Sequence, residues 1–468
     1  MAVLGVVLIG LLFTPHVRPL FSGSGPEPAT LARAAVGSSA PEQTAPAGAE
    51  QKEPTIYDDP VREANDCLGA PPQSEITNNE LELVARDPSV KRIASIVSAI
   101  RGLDFKRPPS VRFKSASSVA DEVRQLAHKS DPDLRNLGTL LKELRLIPRE
   151  TDLRSLILDV LPEKVDAFYR PGTKSILAPR DRSLMSPYEQ VVLAHELTHA
   201  LVDQHLPLPR HPKGSTQTSE EQGAALALIE GDATLVMTNY LTFALTAEAR
   251  QEFQQAATHR SDTSGSLPNF LAKSTAFPYA EGSLFVCYLW NRGGHAALDA
   301  AYEDPPRTTA EIVFPQRFID GTQKKTVDPV DPRLSGWEHA DKFEVGVADL
   351  LFMIDTVMPG ELPHGVVDIE DLGRWNGGEL HLFRRGNSAA VALNLVETNR
   401  TIPDTISLCN LMQVWYAESK WQPGTEDGGL PQHHGRTSEG RYTRLECDGR
   451  QVRFAIGPSK DTVHKLLR

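Results

Sequence analysis

The sequence predicts an α+β protein that is mainly helical, with a small sheet in its first part and a small α+β unit at its C-terminal end. Most segments between residues 78 and 320 repeat apolar side chains at helical spacing. Two short strand-like runs, 166–170 and 175–178, flank a Pro-Gly turn, and further strand-like runs follow residue 379. With 40% hydrophobic and 24% charged residues in a chain of 468, the composition is typical of a folded protein.

The first 60 residues divide into two segments that are not expected to join the folded part. The apolar run 1–13 is short for a membrane span but has the length of a signal-peptide core. Residues 1–21 are therefore predicted to be a signal peptide or an N-terminal anchor. Residues 22–60 are rich in Pro, Ala, Gly and Ser, which favours a disordered linker. We expect the protein to be secreted or in the cell envelope, and membrane-anchored if the first segment is not cleaved.

Residues 61–340 are predicted to form the main folded unit. Helices are expected at about 78–101, 117–129 and 133–145, because apolar residues recur there at helical spacing. Residues 111–114 form a candidate strand after a Pro pair.

The most informative motif lies near the middle of this unit. Residues 186–189 read Ser-Pro-Tyr-Glu, a capping box with proline at the first helical position, so a helix is predicted to begin there. It carries His195, Glu196 and His199 in the pattern HExxH. One helical turn separates the two histidines, so both imidazoles leave the same face and can bind one metal ion. Glu196 stands where a carboxylate can accept a proton from metal-bound water.

A third ligand is expected, because a hydrolytic zinc site usually has three protein ligands and an open position for water. The mainly apolar segment 224–245 reads as a helix that carries Glu230 and Asp232. Buried carboxylates are costly unless they are paired or bind a metal, so Glu230 is the predicted third ligand, with an internal salt bridge as the alternative. Asp232 is a candidate to hold an imidazole N–H of the site. A solvent-facing acid is the alternative for Asp232.

Other acids and histidines compete for the third position. His205 has the spacing of the pattern HExxHxxGxxH, but Val202 replaces the glycine that would let the helix turn back to the metal. His205 and His211 are therefore interpreted as helix-end or loop residues. Glu220 and Glu221 lie at the polar start of their helix, where acids offset its dipole.

These segments resemble a known family. HELTHALVDQH followed by ALALIEGDATLVM is similar to the gluzincin type of zinc metallopeptidase, in which a glutamate on a later helix is the third ligand. More narrowly, the chain resembles a group of secreted bacterial metallopeptidase-like proteins over roughly residues 80 to 320. The shared segments are RGLDFKRPPSVRF at 101–113, VDAFYRPGTKSILAP at 165–179, FPYAEGSLFVCYLW at 277–290 and AAYEDPPRTTAEIVFPQRF at 300–318. The resemblance implies a zincin-like catalytic region, one Zn²⁺ per chain and a peptide or protein substrate.

The predicted site suggests a hydrolytic mechanism. Zn²⁺ held by two imidazoles and one carboxylate lowers the pKa of its bound water and polarises a substrate carbonyl. Glu196 would accept the water proton and pass it to the leaving amine. A donor to the oxyanion is also needed, and Tyr279 is the first candidate, followed by Tyr240 and His259. In zinc peptidases a strand above the metal helix pairs with the substrate, a role that the hairpin 165–179 could fill; a purely structural hairpin is the alternative.

A helix is predicted to start at Pro278 and to run to Gly293-Gly294, and Thr308-x-x-Glu311 reads as another capping box. Four cysteines suit an exported protein with one or two disulfides. Cys409 and Cys447 are the expected pair, and Cys287 is expected to be a buried thiol. Spacing does not settle the pairing of the four, which are Cys67, Cys287, Cys409 and Cys447.

Residues 341–468 are predicted to form the small α+β C-terminal unit, packed on the catalytic part. Its expected elements are a helix at 343–358, strands at 379–384 and 389–395, a helix at 408–420 and a hairpin at 441–457.

Charge and composition exclude some functions and leave others. The net charge of −12, without a long Lys/Arg cluster, argues against a nucleic-acid partner. An intramembrane protease is disfavoured because polar segments flank the HExxH helix. Two alternatives to a peptidase remain: an inactive zinc-containing scaffold or partner-binding protein, and a zinc amidase that acts on cell-wall peptides.

Overall fold

The computed structural model describes residues 55–56, 67, 88–129, 134–160, 165–180, 185–206, 208, 218–263, 267–322, 331–359, 368–398, 405–419, 422–423, 434–437 and 440–468. In these ranges the chain is mixed α+β and mainly helical, as predicted. The signal peptide or anchor predicted at 1–21 lies outside the described residues, as does nearly all of the linker predicted at 22–60. Among the helices in the described ranges, none has the length and apolar character needed to cross a membrane.

Helices make up most of the first part of the chain. They are α1 (Pro88–Arg101), α2 (Ala116–Lys129), α3 (Leu134–Glu143), a short helix Leu153–Ser155 followed by a π-helical turn Leu156–Val160, α4 (Pro187–His205), α5 (Ser219–Asn239) with a π-helical turn Tyr240–Ala244, α6 (Ala247–Thr263), α7 (Asn269–Glu303), α8 (Thr309–Val313) and α9 (Pro315–Asp320). The helices expected at 117–129 and 133–145 are confirmed to within two residues at each end. Of the helix expected at 78–101, the described part is helical.

A three-stranded sheet lies in this first part. Its strands are β1 (Ser110–Lys114), β2 (Phe168–Arg170) and β3 (Ser175–Pro179), in the order β1-β3-β2. β3 pairs in parallel with β1 and antiparallel with β2. The predicted strand at 111–114 and the predicted hairpin are therefore confirmed.

The two helices that carry the HExxH motif and Glu230 both begin at capping boxes. Ser186 caps α4, where its side chain accepts from the backbone N–H of Glu189 and the Glu189 carboxylate accepts from the backbone N–H of Ser186. Thr218 and Glu221 form the same reciprocal pair at the start of α5. Each box satisfies backbone donors that a helix end would otherwise leave unpaired. The predicted start of α4 is confirmed.

The long helix α7 differs from its prediction. It begins at Asn269 rather than at Pro278, which lies inside it. A proline within a helix costs about 3 kcal/mol, so packing must compensate. Phe270 and Phe277, on the turns before the proline, are buried edge-to-face against Phe352. The expected end is marked by a kink at Gly294, where φ is 58° and ψ is −149°.

Two disulfides join distant parts of the chain. Cys409 pairs with Cys447, as predicted, with their α-carbons 6.0 Å apart. The prediction of a buried free thiol at Cys287 is wrong, because Cys287 pairs with Cys67 across a sequence separation of 220 residues. A contact between segments so far apart depends on the tertiary fold, which cysteine spacing does not encode.

The C-terminal part is built on a seven-stranded sheet in the order β4-β5-β6-β10-β9-β8-β7, counted within the described ranges. Its elements are β4 (Glu338–Glu344), α10 (Val347–Val357), a 3₁₀ helix Ile369–Arg374, β5 (Trp375–Arg385), β6 (Ser388–Glu397), α11 (Leu408–Glu418), β7 (Gln422–Pro423), β8 (His434–Arg436), β9 (Tyr442–Asp448), β10 (Gln451–Gly457) and α12 (Lys460–Leu466). The strands, the hairpin and the α11 helix that the sequence predicted are present.

The helix predicted at 343–358 is wrong at its start, because residues 343 and 344 belong to β4 and the helix begins only after Gly346. The predicted division between residues 340 and 341 falls inside the same strand. One hydrophobic cluster includes side chains from Val90 in α1 to Ile456 in β10. The helical part and the seven-stranded sheet therefore share a core.

Candidate metal centre

The helix α4 presents its two histidines in the protein interior. His195, Glu196 and His199 are 1%, 0% and 3% exposed, respectively. Because 3.6 residues make one turn, His195 and His199 lie on one face and their Nε2 atoms are 3.1 Å apart. The two rings stand almost perpendicular to each other, at 87°.

The helix α5 brings Glu230 to these histidines. Its Oε2 atom lies 3.1 Å from Nε2 of His195 and 3.5 Å from Nε2 of His199. Glu230 is fully buried, and the ionisable groups near it include these two histidines, Tyr279 and Glu196. Burial alone would raise the pKa of Glu230, but the charges and hydrogen bonds of the two histidines lower it to about 2. The carboxylate is therefore ionised and available as a ligand.

The three atoms form a group that could hold a metal ion. A metal bound to all three relieves one problem of this arrangement. Two imidazole nitrogens 3.1 Å apart repel each other when both carry lone pairs, and a shared cation turns both lone pairs into ligands. Oε1 of Glu230 is also buried, with no hydrogen-bond partner found in the part of the chain that is described. The predicted set of His195, His199 and Glu230 is thus brought together.

Glu196 lies beside this group. Burial raises its pKa to about 8, with an opposing effect from His195 and a further increase from Glu230. Neither of its carboxylate oxygens has a hydrogen-bond partner of normal geometry among the described residues. Such a buried acid costs free energy in the fold, so its position is better explained by chemistry than by stability.

Tyr279, the first candidate for the oxyanion donor, reaches the same place. Its ring centroid is 6.0 Å from that of His195, and its hydroxyl hydrogen-bonds Glu230. Burial and the nearby charges of Glu230 and Glu196 raise the pKa of Tyr279 well above its usual value. The hydroxyl therefore stays protonated and remains a donor.

A close crossing of α5 and α7 sets the position of Tyr279. A β-carbon at Gly231 would collide with the backbone carbonyl of Gly282, and one at Gly282 would collide with the carbonyl of Ala227. The two helices can therefore approach closely only because glycine occupies both positions. Glu230 neighbours one glycine and Tyr279 lies one turn before the other, so the crossing brings them together.

The edge strand β2 lies above α4 at Glu196. The backbone N–H of Tyr169 acts on the Glu196 carboxylate and lowers its pKa slightly. The Tyr169 hydroxyl donates to Oδ2 of Asp203 on α4, at 2.6 Å, and Lys174 in the hairpin also pairs with Asp203. On one side β2 pairs with β3, and its other side is the edge of the sheet within the described residues. This matches the strand position that the sequence predicted.

The role predicted for Asp232 needs correction. Its carboxylate is 1% exposed and accepts hydrogen bonds from Nε of Arg101 at 2.9 Å and from the Tyr302 hydroxyl at 3.0 Å. Arg101 also donates to Asp299. Residues i and i+2 on a helix point about 200° apart, so Asp232 turns away from the face that carries Glu230. It is neither solvent-facing nor a holder of an imidazole.

The remaining candidates lie elsewhere. The Tyr240 hydroxyl donates to Gln190, and Tyr240 follows Glu230 by ten residues, about 15 Å along a helix. His259 is exposed on α6. His205 ends α4 and hydrogen-bonds the backbone carbonyl of Asp104, so it does not join the cluster.

Glu220 and Glu221, which the sequence also offered as third metal ligands, have other partners in the structure. Glu221 belongs to the capping box of α5, while the Glu220 carboxylate accepts from the backbone and the hydroxyl of Thr309. His211 lies outside the described residues.

Two contributors to the site went unrecognised in the sequence, Arg101 and Tyr169. Arg101 ends α1, and its partner Asp232 lies 131 residues later, so local pattern gives no sign of the pair. Both residues lie in segments that carry the family resemblance, at 101–113 and 165–179, and this was the available signal. No protein-family model matches this sequence, and neither the curated proteins nor the solved structures compared with it include a significant match.

Proposed function

We propose that the protein is a zinc-dependent hydrolase, and most simply a peptidase, with Zn²⁺ held by His195, His199 and Glu230. The observation that carries the proposal is the triangle of ligand atoms, with sides of 3.1, 3.1 and 3.5 Å. Zinc bound tetrahedrally to nitrogen and oxygen at about 2.0–2.1 Å separates neighbouring ligand atoms by about 3.3 Å. The three sides agree with one face of such a tetrahedron.

Glu196 supports a catalytic rather than a structural site. Zn²⁺, when bound, activates a water molecule and polarises a substrate carbonyl. Glu196 accepts a proton and returns it to the leaving amine, a role that suits a buried carboxylate next to the ligand His195. A structural zinc site has no use for such a group between two ligands, which argues against the scaffold alternative.

The surrounding residues supply substrate binding and charge stabilisation. The protonated Tyr279 hydroxyl donates a hydrogen bond to oxygen that gains charge during the reaction. We expect an extended peptide to pair with β2, which is an edge strand of the sheet among the described residues and lies next to Glu196, and this favours a peptide chain as substrate. The two disulfides support our expectation of an exported protein.

The test compares hydrolysis and metal content in matched variants. Wild type should cleave members of a fluorogenic peptide library, whereas Glu196→Gln should bind zinc normally and lose activity by about 10²-fold or more. Glu252→Gln makes the same change at an exposed position on α6 and should behave as wild type. Glu230→Ala should lose zinc from this site. Full activity in Glu196→Gln, or no activity of zinc-loaded wild type on any peptide, would contradict the proposal.

Cell-wall peptide fragments in the same screen separate the amidase alternative. Cleavage confined to those fragments would keep the zinc chemistry and change the substrate class.

A further inference from the structure

A second group of ligand-forming side chains lies on the C-terminal sheet, away from the triad. Glu379 and His381 are two residues apart on β5, so they point to the same face. Nε2 of His381 lies 3.2 Å from Oε2 of Glu379 and 3.9 Å from Oδ1 of Asp331. One ligand atom from each of the three residues falls within 4.8 Å of the others.

Two of these atoms are buried without a hydrogen bond. His381 is 0% and Glu379 is 5% exposed, while Nε2 of His381 and Oε2 of Glu379 have no hydrogen-bond partner found in the described ranges. The two atoms lie 3.2 Å apart, which is close enough for an ion pair, but they do not meet the geometry of a normal hydrogen bond. Leaving both groups without a hydrogen bond costs free energy, so their common direction points to a ligand between them.

A neighbouring histidine can support the form of His381 that binds metals. Nδ1 of His381 lies 3.1 Å from Nε2 of His339 on β4. When Nδ1–H donates to His339, the Nε2 atom of His381 carries a lone pair toward Glu379 and Asp331. The opposite tautomer would place a proton there that meets no acceptor in hydrogen-bond geometry. Metal-binding histidines commonly donate their second N–H in this way.

Lys342 accounts for the remaining oxygen of Glu379. Its ammonium lies 2.8 Å from Oε1 of Glu379 and 3.8 Å from Asp331. Because it binds Oε1, it holds the carboxylate in place and leaves Oε2 directed at His381. An ion pair between His381 and Glu379 would bring the other two atoms together, but it leaves both outside normal hydrogen-bond geometry.

We propose that His381, Glu379 and Asp331 bind a second divalent metal ion, of the Zn²⁺ class. The distance of 3.2 Å between Nε2 and Oε2 is close to the separation of about 3.3 Å expected in tetrahedral zinc. Asp331 is 66% exposed, so it closes the site from the solvent side and leaves room for water ligands. The ion would fasten residues 331–337, which lead into β4, to the neighbouring strand β5. This site does not depend on the triad or on the proposed hydrolase activity.

Zinc titration of the full chain, stripped of metal and assayed in competition with a chromogenic zinc chelator, tests this site. Wild type should bind two zinc ions per chain, and Glu230→Ala and His381→Asn should each bind one. The double variant should bind none. The second site would be established independently of activity if Glu230→Ala still bound one ion and if adding His381→Asn to that variant abolished this binding.

A surface variant covers the case in which His381→Asn does not fold, as judged by circular dichroism. Asp331→Asn removes one exposed ligand and should weaken binding of the second ion at least tenfold, whereas Glu338→Gln, an exposed acid on β4, should leave it unchanged. The second site would be overturned if wild type bound one zinc ion and a folded Glu230→Ala bound none. That outcome would leave the proposed triad intact. Zinc binding by wild type that Glu230→Ala leaves unchanged would instead contradict the triad.

Discussion

Glu220 offers a prediction about stability whose sign and size follow from the structure. Its carboxylate is buried at the start of α5, accepts hydrogen bonds from Thr309, and lies near the acids Asp349 and Glu344. Burial, and then the charge of Asp349, raise the pKa of Glu220 from 4.5 to about 8. The folded state therefore keeps a proton on Glu220 at pH values where the unfolded state has lost it.

The consequence is a fall in stability as pH rises. Between pH 4.5 and about 8 the folded protein binds more protons than the unfolded chain at this position, so the free energy of unfolding decreases with pH and levels off above 8. At about 1.4 kcal/mol per pKa unit, the shift sets a ceiling of roughly 5 kcal/mol on this decrease. Glu220→Gln removes the titration while its carbonyl oxygen can still accept from Thr309. The variant should be more stable than wild type at pH 8 by several kcal/mol and nearly equal to it at pH 4.5.

Urea unfolding at half-unit steps from pH 4.5 to 8.5 measures this difference. Subtracting the two curves cancels titrations that wild type and variant share, including those of the histidines. Glu221→Gln is the matched control, because it changes the adjacent acid to another residue that suits a capping box and leaves Glu220 in place. The free energy of unfolding of Glu221→Gln should decrease with rising pH as that of wild type does. Parallel curves for wild type and Glu220→Gln would refute the reasoning.

Three further predictions concern the metal centre and the disulfides. Gly231→Ala should destabilise the protein by about 1–3 kcal/mol or more and weaken zinc binding, because the β-carbon of the new alanine collides with the backbone at Gly282. Gly172→Ala is the control, because a β-carbon there meets nothing within 4 Å. Urea unfolding and zinc titration measure both variants. Tyr279→Phe should retain zinc but lower kcat by about 10²-fold, and unchanged kcat on any peptide that wild type cleaves would exclude Tyr279 as the donor. Replacing Cys409 and Cys447 by serine should cost about 4 kcal/mol, as expected for a closed loop of 38 residues, which urea unfolding under non-reducing conditions would measure.

Local signals account for what could be predicted from the sequence. The start of α4 follows from a capping box of four adjacent residues, and the ligand pair His195 and His199 follows from one helical turn. Glu230 could be predicted as the third ligand because a buried acid in an apolar helix needs a partner, and both properties can be read from the local composition. Each inference needs only a short stretch of chain.

Contacts between distant segments could not be predicted in this way. The pair of Cys67 and Cys287 spans 220 residues, and Asp331 meets Glu379 only once β4 and β5 have formed. The start of α7 was misplaced because a proline is normally a boundary, whereas burial of Phe270 against Phe352 carries the helix past it. In each case tertiary packing outweighs the local signal.

Glu230 and Asp232 show how the apolar middle of α5 can hold two buried acids without conflict. Glu230 and Asp232 are only two residues apart, yet they leave the helix on opposite sides, so a single cation could not serve both. The structure gives each its own partner: the imidazoles of the triad for Glu230, and Arg101 with Tyr302 for Asp232. Arg101 pairs with Asp232, whereas the charges and hydrogen bonds of the two histidines lower the pKa of Glu230. The arrangement also explains why Gly231 follows Glu230, since only a residue without a side chain lets α7 approach closely enough to bring Tyr279 to Glu230.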